Sequence, residues 1–147
     1  MTDDSDIHRI LADARTIAVV GASDNPARAS FGVMKFVQAQ GYRIIPVNPR
    51  LVGSTILGEP VYAALADIPD PFDMVDIFRK PEDVPPVVDS AVALKAARGI
   101  RVIWMQLGIR NDAAAAVAEA AGLAVVMDRC LAIELRRIGG RPKLSAG

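Results

Sequence analysis

Residues 16–32 read TIAVVGASDNPARASFG, and this stretch decides the fold. Thr16 to Ala22 is a short β-branched, apolar run that ends on glycine. Such a run predicts a buried strand followed by a tight turn. Ser23 to Ser30 is a polar loop holding Pro26. Then FGVMKFVQAQ, residues 31–40, places Phe31, Met34 and Val37 at helical spacing. Ser30 is the expected N-cap of that helix and Gly41 its C′ residue. The opening unit is therefore strand, turn, helix.

Outward from it, the same alternation repeats. YRIIPVNP, residues 42–49, reads as a second strand stopped by Asn48-Pro49. Residues 53–62 are rich in turn formers with a short extended piece, and residues 64–68 make one helical turn. FDMVDIF, residues 72–78, is a third strand. The helix that follows is expected to start near Pro85 or Pro86 and to close at Gly99. IRVIWMQ, residues 100–106, is a fourth strand. Asn111 caps a helix over residues 112–121 that Gly122 ends, LAVVM at 123–127 is a fifth strand, and LAIELRRI at 131–138 a last helix.

Strands alternating with helices imply parallel pairing through crossover connections. Their unbroken apolar runs fit a sheet covered on both faces. The expected architecture is one α/β domain of the Rossmann type: a doubly wound, five-stranded parallel sheet in the order 3-2-1-4-5. The domain is expected to fill the 147 residues, with loose ends at about 1–6 and 140–147.

Composition narrows the function classes. Lys plus Arg and Asp plus Glu are 17 each, a balance that argues against a broad basic field for nucleic acid. With a single cysteine, Cys130, no internal disulfide can form, which fits a reducing cytoplasm. The N-terminus MTDDSDIHRI lacks the apolar stretch of a signal peptide, and no run approaches a membrane span. The expected location is the cytoplasm.

In open parallel sheets, ligands sit beyond the carboxyl ends of the strands, where the strand order reverses. That point is the turn from Gly21 to Ser30. A helix N-terminus there offers free N–H groups and a positive dipole end to a phosphate. Gly21 and Ala22 bring the backbone close, Ser23 and Ser30 add hydroxyls, and Arg28 adds a bidentate cation. The turn is not a compact G-x-G-x-x-G. The second strand ends on Asn48, where dinucleotide-binding folds place an acid on the ribose diol. Asn48 with Arg50 nearby suits a ribose that itself bears a phosphate.

At this point the chain resembles the small stand-alone CoA-binding proteins. It is similar, more distantly, to the N-terminal CoA-binding domain of the succinyl-CoA synthetase α-subunit. VVGASDNPARAS, IIPVNPR, ILGEPVYAALADIP, VDIFRKPEDV, IWMQLGI and VVMDRCLAIELRR carry the resemblance, in order, over roughly residues 10–140. It implies a Rossmann-like fold with coenzyme A or an acyl-CoA as ligand, and no defined reaction. On the matching positions it implies a phosphate loop at Gly21, Ser23, Arg28 and Ser30. Asn48, Pro49 and Arg50 would lie near the adenosine, and Arg79, Lys80 and Pro81 over the cofactor. Gln106 and Gly108 would lie toward the pantetheine end.

The residues also admit plainer readings. Arg50, Arg79 and Lys80 suit either a phosphate or ordinary solvated charge. Gln106 suits either pantetheine amides or a loop carbonyl. Trp104 reads as core rather than a stacking platform. Cys130 is either a small buried residue or a thiol poised for a mixed disulfide with CoA. His8 reads as surface, and no Cys/His cluster offers metal ligands. No residue is singled out as catalytic, and Asp76, an acid inside a strand, has no assigned role. Three functions follow: a CoA-binding carrier, sensor or regulatory module; an enzyme handling acyl-CoA with a partner or using a nicotinamide; or an interaction protein. A homodimer through the sheet-flanking helices is compatible with all three.

Overall fold

A computed structural model of the chain describes residues 3–142. The elements are α1 (Asp4–Asp13), β1 (Thr16–Val20), α2 (Ala29–Ala39), β2 (Arg43–Val47), β3 (Thr55–Ile56), β4 (Glu59–Pro60), β5 (Met74–Ile77), α3 (Val84–Arg98), β6 (Val102–Met105), α4 (Asp112–Ala120), β7 (Ala124–Val126) and α5 (Leu131–Arg137). Five strands form one parallel sheet in the order β2-β1-β5-β6-β7. β3 and β4 are a separate antiparallel hairpin.

Side chains alternate across the sheet, so each apolar run feeds two cores. Ile17 and Val19 of β1 join Trp104 and Val126 beneath α1, α2 and α5, through Ile7, Leu11, Met34, Val37, Leu131 and Leu135. Ala18 and Val20 join Val75, Ile77, Ile103 and Met105 beneath α3 and α4, through Val84, Val88, Ala91, Ala115 and Ala118. Burying a side chain such as Ile17 or Ile77 completely is worth roughly 1.5–3 kcal/mol. Trp104 is fully buried, as its sequence context predicts, and its indole N–H donates to the Arg129 carbonyl at 2.8 Å.

The fold class and the five parallel strands agree with the sequence reading; the strand order does not. Counting sheet strands along the chain, the order is 2-1-3-4-5, not 3-2-1-4-5. Pro46 supplies the physical reason. It has no N–H, so it suits only an edge strand or a side facing away from the ladder. Its carbonyl points outward and accepts from the Tyr62 N–H at 3.1 Å, so the missing donor points away from β1. β2 is therefore the edge strand. Met74–Ile77, whose four residues are all buried, takes the central place between β1 and β6. The connection from β2 to β5 crosses on the α3/α4 face, where Leu65, Ile68 and Phe72 cover the sheet in place of a helix.

Two local expectations are also corrected. α2 begins with Arg28 at the N-cap, not Ser30. Arg28 N–H donates to Asn25 O at 2.9 Å, so the chain turns two residues early and draws Ser30 into the first helical turn, 5% exposed. The N-terminal segment, expected to be loose to about residue 6, is helical from Asp4. Asp3 and Asp6 close a capping box on each other's backbone N–H. At the other end Arg141 donates to the carbonyls of Gly41 (2.6 Å) and Ala14 (3.1 Å) and stacks 4.2 Å from the Tyr42 ring centroid. Residues 1–2 and 143–147, the remainder of the expected loose ends, lie outside the described residues.

Candidate functional site

The site is built on the turn after β1. Gly21 has φ +86°, a left-handed conformation that disfavours other residues. A Cβ added there would meet the Phe78 carbonyl oxygen at 2.2 Å, so the turn at β1 passes directly against the end of β5. Gly21 and Ala22 N–H both reach the Val47 carbonyl, at 3.1 and 3.3 Å, which ties the turn to β2.

Asn48 completes that tie from the other side. Its Nδ2 donates to the Ala22 carbonyl at 2.8 Å and its Oδ1 accepts from the Arg50 N–H at 2.9 Å. Both ends of the amide are used. An aspartate here would have no proton for the Ala22 oxygen, so the residue type also has a structural cause that the sequence alone did not reveal.

Two grooves open beside this turn. One is lined by Gly21, Ala22, Ser23, Arg28, Ala29, Ser30, Asn48, Phe78, Arg79 and Ile109. It is polar, and α2 points its N-terminus into it. Arg28 makes no side-chain cap, and the N–H groups of Ala29 and Ser30 have no acceptor among the described residues. Free amides at a helix start with an arginine beside them form an anion-binding arrangement. The second groove shares Gly21 and Arg79 but lies on the α3 side. Val20, Val47, Pro49, Leu65, Pro86 and Val87 make it mainly apolar. Arg79 stands between the two, its guanidinium 3.7 Å from Asp83; both side chains are over 40% exposed, so the pair holds it weakly.

The remaining candidate residues lie elsewhere. Arg50, Lys80 and Pro81 are exposed, and line neither groove. Pro81 O accepts from Asn111 Nδ2 at 2.9 Å. Gly108 has φ +82° and its N–H donates to Asp128 Oδ1 at 2.6 Å. Gln106 is 3% exposed, and its Nε2 donates to Asp76 Oδ1 at 2.7 Å rather than to a loop carbonyl. Cys130 immediately precedes α5, half-buried against the core and outside both grooves. The neighbouring Arg129 turns to Glu134 at 3.1 Å. His8 is exposed. Among the described residues no group of acids, histidines or cysteines could hold a metal, and no helix is long and apolar enough to cross a membrane.

Phe78, Ile109, Leu65 and Val87 line the grooves although the sequence reading singled out none of them as a site residue. Periodicity assigns such residues to the core, and only the sheet register brings them to the rim. Asp76, singled out in the sequence as an acid inside a strand, finds its partner in Gln106. Burial pushes its carboxyl up to about 7, against the lowering effect of the Gln106 hydrogen bond.

The five-stranded parallel sheet with helices on both faces, and with two grooves at the strand-order reversal, is a Rossmann-like α/β domain. The family model described as a CoA binding domain matches residues 15–136, and the chain belongs to that family. An uncharacterized protein of Bacillus subtilis, YneT, is 37% identical over 129 residues, covering 88% of this chain and 91% of its own. A solved structure of a hypothetical protein from Pyrococcus horikoshii superposes with a TM-score of 0.85 at 38% identity, covering 94% of this chain and 93% of that one. The α subunit of an ADP-forming acetate–CoA ligase from Pyrococcus furiosus is 31% identical over 97 residues. That match covers 63% of this chain and only 20% of the subunit.

Proposed function

We propose that the protein binds coenzyme A or an acyl-CoA across the two grooves beside the β1 turn, as a carrier, sensor or regulatory module. The observation that carries this reading is the uncapped N-terminus of α2, which aims the Ala29 and Ser30 amides and Arg28 at one polar groove. Phosphates match that groove by charge and by N–H direction. The apolar groove between Pro49, Leu65 and Val87 suits a flat base. Arg79, shared by both, would bridge them. Arg50, which follows Pro49 of the apolar groove, would meet a phosphate on the ribose, Lys80 and Pro81 would lie over the ligand, and the loop at Gln106 and Gly108 would lie toward the pantetheine arm. Membership of the CoA-binding family supports the choice of ligand. Ligase activity belongs to a much longer relative, of which this chain matches one fifth.

The test is calorimetric titration of the reduced protein with CoA, dephospho-CoA, NAD and AMP. Tight CoA binding, weaker dephospho-CoA and no NAD is the expected result. A preference for NAD overturns the reading and brings the oxidoreductase alternative forward. Silence from all four ligands leaves an interaction protein on a nucleotide-binding fold.

A further inference from the structure

One wall of the polar groove is a segment with little packing to hold it. Residues 24–29 are all exposed, and burial resumes only at Ser30. Such a segment opens easily unless its own hydrogen bonds fix it. Among the described residues three hydrogen bonds close the loop from Ser23 to Arg28, and Asn25 takes part in each. Its N–H donates to Ser23 Oγ at 3.0 Å. Its Oδ1 accepts from the Ala27 N–H at 2.9 Å. Its carbonyl accepts from the Arg28 N–H at 2.9 Å.

The donors of this segment can be followed one by one. Pro26 has no N–H, so every donor from Asn25 to Arg28 is used inside the loop. The N–H groups of Phe31 and Gly32 turn back to Arg28 O, at 3.2 and 3.4 Å. The Ala29 and Ser30 amides between them are left for a ligand. The Asn25 side chain closes its turn around Pro26, whose ring fixes φ. Without Oδ1 the Ala27 N–H loses its acceptor, and one backbone bond alone holds Arg28 at the N-cap. The loop would then have to be ordered by the ligand, at a cost in affinity.

We propose that Asn25 is a positioning residue for the anion site: it closes the loop before the ligand arrives, so that Arg28 and the Ala29 and Ser30 amides are presented already ordered. Asn25 lines neither groove and acts only through the backbone it holds. The choice of CoA as probe rests on the function proposed above; the closure of the loop does not.

Calorimetry with CoA compares the wild type, Asn25→Ala and Asn25→Ser. Asn25→Ala is expected to lose roughly threefold to tenfold in affinity, the worth of one net hydrogen bond. Its Tm should stay within about 2 °C of wild type, because the loop adds little to the core. Asn25→Ser should regain part of the affinity, since a hydroxyl can accept an N–H two residues on, as Ser23 Oγ does from Asn25. An Asn25→Ala protein that binds CoA as the wild type does overturns the proposal, and so does a serine variant no better than the alanine one. If the wild type binds no CoA, the CoA reading fails separately. Inorganic pyrophosphate is then titrated into the wild type and Asn25→Ala, and the Ala29 and Ser30 amides are followed by NMR. Saturating shifts at both amides, with weaker affinity in Asn25→Ala, support the proposal. Unmoved amides, or equal affinities, overturn it.

Discussion

Replacing Gly21 by alanine tests the geometry on which the whole site depends. The backbone there has φ +86°, and the added Cβ would stand 2.2 Å from the Phe78 carbonyl oxygen and 3.2 Å from the Phe78 Cβ. The conformational penalty for an L-residue is roughly 1–2 kcal/mol. The clash adds an overpacking cost of roughly 1–3 kcal/mol, because the atom struck is main chain of Phe78, the residue after β5, whose N–H is bonded to Val20 O, and it cannot swing aside. The sum, about 2–5 kcal/mol, is a large part of a usual stability of about 5–15 kcal/mol. For a domain of this size it corresponds to a fall in Tm of about 5–20 °C. Gly32 is the control: it lies in α2 with nothing within 4 Å of an added Cβ, so Gly32→Ala should gain roughly 0.5–1 kcal/mol from helix propensity alone. Thermal and urea denaturation of both variants measure the difference. A Gly21→Ala protein within about 0.5 kcal/mol of wild type would refute the close approach of β1 to β5, and with it the shape of both grooves.

Four further outcomes follow from the same geometry. Arg28→Ala should weaken CoA by about 1.5–3 kcal/mol without lowering Tm, since the side chain is exposed and makes no cap; equal losses for CoA and dephospho-CoA would place it at the pyrophosphate, a loss for CoA alone at the 3′-phosphate, and no loss outside the site. Asn48→Asp should cost about 1–3 kcal/mol of stability, because a carboxylate faces the Ala22 oxygen where the amide donates; an unchanged Tm contradicts that account. Asp76, raised from 3.8 to about 7 in the fold, stays protonated while the unfolded chain ionises, so stability is highest below about pH 4 from this group and falls as pH rises to about 7; denaturation across that window should show a decline that Asp76→Asn lacks, and equal slopes would count against it. Cys130, half-buried before α5, should react with a small alkylating reagent in the native protein more slowly than in urea but to completion, and complete protection would remove it as a thiol for mixed disulfides.

What the sequence made legible was the local alternation. TIAVVGA, FDMVDIF and IRVIWMQ are strands because unbroken apolar runs fit a sheet covered twice, and Asn111 caps α4 with its side chain on Ala114 N–H, as its position before an alanine run suggests. Gly99, at φ +79°, closes α3 where the helix was expected to stop. Strand order was less legible because it depends on which run lies innermost, and all five runs are apolar. Pro46 was the available clue: a residue with no N–H inside the second strand marks an edge. The site was readable in its backbone part, the Gly21 to Ser30 turn, because turn chemistry is local. The partners of Asn48 and Gln106 were not, since Ala22 and Asp76 lie 26 and 30 residues away in the chain.

The corrected order changes what the site is. With the third strand at the far edge, Arg79 would emerge two strands from the Gly21 turn, on the order of 10 Å away at the usual strand spacing. With β5 beside β1, Val20 pairs with Ile77, and Phe78 and Arg79 leave the sheet next to Gly21. The same move carries Asp76 beneath the cleft and sets β6 beside it, so that Gln106 can reach the carboxyl. The reversal point stays at β1 in either order, so the expected ligand position does not depend on which of the two orders holds. The cleft is two-sided only in the observed one: β2 contributes Asn48 and Pro49 on one flank, β5 contributes Phe78 and Arg79 on the other, and the absent side chain of Gly21 leaves the space between them.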